Sequence, residues 1–316
     1  MLTKDYSSCV QCPRKCGANR IEGKTGFCHE TKDLRIAFAG LHFGEEPLIT
    51  VNGGSGTIFF TGCTLRCKFC QNYQISQEGL GKTVSSQDFT EICLKLQQNG
   101  AENINLVTGS HHIPIIAEFI KDAKNAGVTL PFCWNSSAYE SVEMLELLKD
   151  LVTIWLPDLK TLSSKLAGEL FAAPDYPQTA KDAISWMISN NHLQIEECEN
   201  GKEKMTSGVI IRHLYLPGKF EETADVLQFL KEVADGRACI SLMNQYTPIP
   251  AKKGTINEFE DRLVDKTEDE DIQDLIAAYD FDYLFYQELS DDTSWLPDFT
   301  KPQPFSNALA KPLWHC

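Results

Sequence analysis

The chain has 316 residues, 42% of them hydrophobic, enough to bury a sizeable core, and α/β barrels of this length fold as one main domain. Its net charge of -15 serves solubility and argues against nucleic-acid or anionic-membrane binding, both of which need clustered Lys and Arg against phosphate. No run of about 18 apolar residues occurs, so no membrane helix is expected, and no leader pattern precedes the 12 cysteines, so the cytoplasm and reduced thiols are expected.

The first informative stretch is Cys9-Val-Gln-Cys12-Pro-Arg-Lys-Cys16, with Cys28 following the turn residues Gly23 and Gly26. Four thiols with one C-x2-C pair can close around a metal, and so short a segment has too small a core without one. Two readings stand: an auxiliary Fe–S cluster, or a four-cysteine zinc or rubredoxin-like iron site that staples the N-terminus, which the spacing favours. His29 could substitute for one ligand, with a solvated histidine as the preferred reading. Residues 34–50 form a β-rich lead-in broken at Gly40 and Gly44, and Asn52-Gly-Gly-Ser-Gly56 is a flexible turn without the lysine of a phosphate-binding loop.

The first core strand is expected at 57–60. Directly after it come Cys63, Cys67 and Cys70, spaced C-x3-C-x2-C. Three thiolates in so tight a loop can hold three corners of a [4Fe–4S] cluster and leave one iron without a protein ligand. Paired zinc knuckles and ferredoxins both supply a fourth ligand, which is missing here. Gly62 gives the backbone room to turn beside such a cluster.

Strands and helices then alternate. Ser86 is expected to cap a helix ended by Gly100, with Cys93 on its core face; strands follow at 103–107, 129–134 and 152–156, separated by helices at 114–126 and 142–148. Helices at 165–171 and 178–189 are broken by Pro174 and Pro177, and Asn200-Gly201 marks a hairpin inside a polar insertion. A strand at 208–216, a helix at 221–234 and a sixth strand at 238–243 continue the pattern. An acidic helix follows, whose carboxylates between Glu258 and Asp274 read as a solvated face and not as a calcium loop. A late strand at 283–286 and a proline-bearing tail from Pro297 complete the chain. Such alternation indicates parallel βα units with right-handed crossovers, a curved sheet or barrel with helices outside.

In such architectures chemistry collects at the C-terminal ends of the strands. The polar residues there are Thr108, Ser110, His111 and His112; Asn135 and Ser136; Asp158 and Lys160; Arg212 and His213; and Asn244, Gln245 and Tyr246. Adjacent side chains at a helix start diverge by roughly 100°, so His111 and His112 read as helix-start hydrogen-bonding groups and not as ligands of one ion. Cys133, Cys198, Cys239 and Cys316 lack ligand spacing.

The cysteine loop resembles that of the radical SAM superfamily, and the likeness runs to the activating enzymes of glycyl radical enzymes, such as pyruvate formate-lyase activating enzyme. It extends over residues 43–246 and is carried by Cys70-Gln-Asn72, Asp158-Leu-Lys160 and Ile211-Arg-His-Leu-Tyr-Leu-Pro-Gly218. The resemblance implies a partial (β/α)6 barrel at 34–250, a Cys-rich segment at 1–33 and a helix/strand extension at 251–316 packed on the barrel. It implies S-adenosylmethionine on the open iron, cleaved to a 5′-deoxyadenosyl radical that takes hydrogen from a substrate carbon, for instance a glycine of a partner protein. It further implies an electron donor such as flavodoxin or ferredoxin and a glycyl radical enzyme or other protein as partner. Phe69 would lie along the adenine and Lys160 would pair with the methionyl carboxylate beside Asp158. Arg212 would line the ribose or substrate side, with Lys160 and Arg212 as the catalytic pair; Asn72, Thr108, Ser110 and Asn135 would complete the cofactor site. Two departures stand out: Thr108-Gly-Ser-His-His112 replaces a Gly-Gly-Glu-type element, and Asn135 replaces an aspartate. The N-terminal cysteines resemble a separate branch of activating-enzyme homologues. The alternatives are radical modification of another protein or a small molecule, and a non-catalytic iron–sulfur electron carrier.

Overall fold

Strands buried on both faces read as near-continuous apolar runs, and this chain lines up seven strands in parallel, the last of them, at the edge, only half-buried. The computed structural model describes residues 6–290, 292–293 and 295–316. Its first half runs β1 (Arg35–His42), β2 (Ser55–Phe60), α1 (Tyr73–Ser76), β3 (Lys82–Thr83), α2 (Ser86–Gln98), β4 (Ile104–Val107), α3 (Ile113–Asn125), β5 (Phe132–Ser136), α4 (Val142–Leu145) and β6 (Ile154–Pro157). There follow α5 (Ser164–Phe171), α6 (Tyr176–Asn190), β7 (Gln194–Glu197), β8 (Glu203–Leu214), α7 (Phe220–Ala234), β9 (Cys239–Met243), α8 (Lys266–Tyr279), β10 (Leu284–Gln287) and β11 (Ala310–His315). The strand order is β10-β9-β8-β6-β5-β4-β2-β1-β11, with β1 antiparallel to both neighbours. The two end strands do not pair, so the sheet is an open, partial barrel of α/β type.

The strands' two faces divide the core. Ile104, Leu106, Phe132, Trp134, Trp155, Val209 and Ile211 pack under the helices, whereas Cys133, Ile154, Leu156, Ile210 and Cys239 point to the opposite, concave side. By the two-residue period of a strand, Asn135, Asp158 and Arg212 continue the concave row. Polar groups at these positions therefore meet inside the barrel mouth.

Several local expectations shift. The cap of α2 is Ser85, not Ser86: its hydroxyl accepts from the Asp88 N–H in a capping box, because serine caps best from outside the first turn. Pro177 lies in the first turn of α6, where proline's missing N–H costs nothing, so it starts that helix instead of breaking it. The expected helix at 142–148 is shortened to α4. Residues 310–315, read only as tail, form β11 against β1; Pro312 is tolerated there because the strand is an edge. The Asn200-Gly201 hairpin is present, with β7 antiparallel to β8 and Gly201 at φ 74°.

The turn before β2 is pinned. One oxygen of Glu102 accepts the N–H groups of Val51, Asn52 and Gly53, each at 2.7 Å, and its other oxygen meets Lys204 at 3.0 Å. Burial alone would raise this carboxyl; the backbone N–H groups and Lys204 together hold it below its ordinary value. Its contribution to stability is thus present above the ordinary carboxylate range and lost as pH falls through the lowered folded value. Glu102→Ala is expected to cost about 2–3 kcal/mol in urea unfolding at pH 7, since it strands three N–H donors; an unchanged midpoint would contradict the latch.

Candidate functional site

The loop after β2 carries the three predicted thiols, with Cys63 and Cys67 buried and Cys70 half-buried. Gly62 opens it at φ 83°, and a side chain there would run into Cys28 O and the Glu30 stem at 2.8 and 2.4 Å from its Cβ, so only glycine fits. Donors surround the sulfurs. The N–H groups of Leu65 and Arg66 point at Cys63 Sγ at 3.4 and 3.5 Å, and the Ser76 hydroxyl lies 3.3 Å from Cys70 Sγ. Burial raises the Cys67 thiol, and the Lys160 ammonium nearby acts against it. Burial also raises the Cys70 thiol, so these thiols lose their protons readily only to a metal; the N–H and O–H groups at Cys63 and Cys70 fit iron-bound thiolates, whose sulfurs accept such hydrogen bonds. Among the described residues no three His, Cys, Asp or Glu side chains converge on a single ion. A cubane does not require that, because its cysteines bind separate irons.

At the ends of the next strands a charged layer forms. Arg212 Nε donates to Asp158 Oδ1 at 2.8 Å and Nη2 to Asn135 Oδ1 at 2.5 Å, while Lys160 Nζ donates to Asp158 Oδ2 at 2.8 Å. Burial opposes ionisation of Asp158, but Arg212 and Lys160 outweigh it and hold the carboxyl below its ordinary value. Burial likewise lowers Lys160, and the carboxylate of Asp158, with Cys67 next, raises it back above the usual ammonium range. The backbone is fixed as well: the Tyr176 hydroxyl accepts from Lys160 N–H at 2.9 Å and donates to Asp158 O at 2.7 Å.

The other predicted positions sort as follows. Phe69 is half-buried in an edge-to-face aromatic wall with Phe259, Phe171 and Tyr246 at 5.8, 6.2 and 6.4 Å. Asn72 precedes α1, and its backbone N–H faces Cys70. Thr108 adopts φ 62° and bonds Asn135 O through its N–H at 2.9 Å. Ser110 is buried and gives its hydroxyl to Glu140, a carboxyl pushed up to about 7 by burial. His111 Nε2 sits 2.7 Å from Thr61 O, and Arg20 reaches both His111 O at 2.7 Å and the His112 ring at 2.9 Å. Burial first, then Arg20, presses His111 down to about 3, so these rings are neutral fasteners.

Cys9, Cys12 and Cys28 are buried, whereas Cys16 and His29 are exposed. Burial lifts the Cys12 thiol to about 12, with Cys28, Cys9 and Cys16 adding to the rise, so the four thiols share one neighbourhood. Their segment rests on the Cys63 loop: Arg14 Nε donates to Thr64 O at 3.0 Å and Nη2 to Phe171 O at 2.6 Å. From the other side Lys68 pairs with Glu258 and the Gln77 amide donates to Cys67 O at 2.8 Å.

Sequence reading missed Glu45, Glu46, Glu140 and Tyr176. Glu45 and Glu46 lie within 4.0 and 3.9 Å of Arg212. Their signal was available as two carboxylates set directly before the apolar Pro47-Leu-Ile49 in a lead-in loop.

Arg212 is the partner that buried Asp158 cannot lose. Arg212→Leu is expected to destabilise the fold by about 3–5 kcal/mol, because an uncompensated carboxylate stays behind. Asp158→Asn in the same chain should recover a large part of that loss; additive effects in the double-mutant cycle would show that the pair is not coupled.

The model of the radical SAM superfamily matches residues 57–230. An uncharacterized protein of Methanocaldococcus jannaschii is 31% identical over 251 residues, which cover 77% of this chain and 67% of that one. The pyruvate formate-lyase-activating enzyme of Listeria monocytogenes is 26% identical over 192 residues, covering 57% of this chain and 71% of the enzyme. Among solved structures, Streptococcus suis SuiB bound to precursor peptide SuiA superposes with a TM-score of 0.52 at 14% identity, over 72% of this chain and 46% of that one. The chain thus spans less than half of SuiB, and that likeness is one of fold. With more than half of its residues matched by the superfamily model, the chain belongs to the radical SAM superfamily.

Proposed function

We propose that this chain is an activating-enzyme-like radical SAM oxidoreductase that takes hydrogen from a carbon of a protein partner, a glycine in the activating-enzyme version. The observation that carries the proposal is the loop of three thiols, two of them met by hydrogen-bond donors, beside the Lys160–Asp158–Arg212 layer. A [4Fe–4S] cluster with S-adenosylmethionine, when bound, supplies one-electron cleavage of the sulfonium to a 5′-deoxyadenosyl radical.

The chain's own residues then have separable tasks. Cys63, Cys67 and Cys70 hold the cluster, with two backbone N–H groups and the Ser76 hydroxyl steadying their charge. Lys160, kept protonated by Asp158, binds the methionyl carboxylate. Arg212 holds Asp158 and Asn135 in place and faces the ribose or substrate. Phe69 and its aromatic neighbours shield the adenine side from water, and Asn72, Thr108 and Ser110 complete the cofactor's surroundings. We further assign Cys9, Cys12, Cys16 and Cys28 to a second metal centre that fastens residues 1–33 against the first. Residues 34–250 would form the barrel and 251–316 an extension on it, with a flavodoxin or ferredoxin as reductant in the cytoplasm. No helix among the described residues is long and apolar enough to cross a membrane. A protein substrate is supported by the similarity to pyruvate formate-lyase-activating enzyme.

The test is anaerobic reconstitution with iron, sulfide, dithionite and S-adenosylmethionine. We expect 5′-deoxyadenosine and methionine in equal amounts, falling to background when Cys63, Cys67 or Cys70 is serine; a full cluster without cleavage would make the chain an electron carrier. Lys160→Ala should weaken S-adenosylmethionine binding by roughly 10- to 100-fold, the worth of one charge-assisted hydrogen bond. Serine at Cys9 or Cys12 should chiefly lower the thermal stability of the N-terminal segment; equal loss of cleavage in a folded variant would argue against a fastening role. Absence of a glycyl-radical signal in a candidate partner would remove the activase version alone.

A further inference from the structure

The loop between β1 and β2 does not stay outside the sheet. Leu48 and Ile49 join the concave cluster with Cys133, Ile154, Leu156 and Ile210, and Met205 N–H bonds Leu48 O at 2.9 Å. The backbone around it is closed by Ile49 N–H on Glu46 O at 2.8 Å and the Thr50 hydroxyl on Glu45 O at 3.2 Å. Glu45 and Glu46 are therefore presented into the barrel by fixed backbone, and each side chain is only 9% exposed.

Charge is out of balance there. Three carboxyls, Glu45, Glu46 and Asp158, face two cations, Arg212 and Lys160; burial pushes both glutamates up and Arg212 acts against it, so a further cation beside them would favour their ionised form. Arg212 spends its short bonds on Asp158 and Asn135 and stands 4.0 and 3.9 Å from the two glutamates, while the Lys160 ammonium is bonded to Asp158. His42 lies 3.6 Å from Glu45, but burial presses its ring down to about 4, so it brings no charge at neutral pH. Glu46 Oε2, His42 Nδ1 and both polar atoms of the fully buried Asn105 have no hydrogen-bond partner. Asn105 lies beside Glu45 without closing a full bond to it. Buried groups of this kind are normally satisfied; Glu46 Oε2 and Asn105 Oδ1 call for N–H donors, while the Asn105 amide N–H2 is left to the neighbouring Glu45 carboxyl or another acceptor.

It meets the proposed cofactor layer at Arg212, and its floor lies deeper. Asn105 and Cys133, the neighbours of Glu45, sit two residues before Val107 and Asn135 on β4 and β5, one inward layer, about 7 Å, below the strand ends. Lys160 and the Cys63 loop stand at those ends.

We propose that Glu45, Glu46 and Asn105 form a substrate subsite that takes a cationic group, an ammonium or guanidinium, entering the barrel beneath the strand ends. Calling it the substrate's subsite rests on the radical reading, but its binding chemistry does not. The test is anaerobic calorimetry on the reconstituted full chain saturated with S-adenosylmethionine, using n-butylguanidine and n-butylamine as probes and 1-butanol as the neutral control. At least one cation should bind and the alcohol should not. Glu45→Gln and Glu46→Gln, made separately so that one variant suffices if the other misfolds, should each weaken the cation roughly tenfold or more, as expected for a charge-assisted contact, and shift S-adenosylmethionine affinity less than threefold. No binding of either cation, unchanged affinity in the variants, or a parallel fall in S-adenosylmethionine affinity would overturn the proposal, the last by making the glutamates cofactor ligands. A chain that binds the probe yet forms no 5′-deoxyadenosine would sink the radical reading and leave this one; cleavage without probe binding would do the reverse.

Discussion

A guanidinium held inside an open barrel sets the terms for everything around it. Removing Arg212 from water is tolerable only if its donors find acceptors, and they find Asp158 on β6's end and Asn135 on β5's. That requirement ties three strands at their C-terminal ends, and the bridge between Asp158 and Arg212 carries β6 and β8 together past the last regular pairing. Asp158, once ionised, keeps Lys160 charged beside Cys67. Lys160 thus depends on Arg212 through Asp158, and the interior glutamates face the same guanidinium as ion pairs.

The second organising fact is that the cysteine loop is braced from outside the barrel. Residues preceding β1 reach it through Arg14 and the Cys28 carbonyl under Gly62, and residues following β9 reach it through Glu258 and Phe259. A loop that must hold three thiols in fixed directions gains from such packing, since local opening costs least where contacts are few. The segment that carries the N-terminal cysteines is accordingly a neighbour of the Cys63 loop in space, although β1 lies between them in sequence.

The alternation of apolar runs and amphipathic helices made the barrel legible before any coordinates, because parallel strands and their crossovers leave a strong periodic signal. The Cys63, Cys67 and Cys70 spacing was legible for the same kind of reason: ligand chemistry needs short, regular intervals. Asp158, Lys160 and Arg212 were reachable through strand-end logic and the family likeness. What escaped was non-local. Glu140 gains its place only because the turn after β5 folds onto Ser110, and Glu45 and Glu46 matter only because their loop enters the sheet, which no local pattern announces. β11 was hidden by Pro312, whose meaning reverses once its strand is known to be an edge. The Asn52–Gly56 turn, read as flexible, is held by Glu102 from a different loop.

The pairing of β11 with β1 has a consequence for biogenesis. β3 pairs with β1 at Arg35 and Ile36, but residues 38–42 of β1 pair with residues 310–315, so a ribosome releases that complement long after the edge itself. Until then β1 offers unpaired amides to any passing strand, a template for intermolecular association. Contacts so distant along the chain also raise the contact order and slow the final closure of the sheet. Cooler, slower synthesis or an assisting chaperone would therefore be the natural remedy for poor yield of this protein.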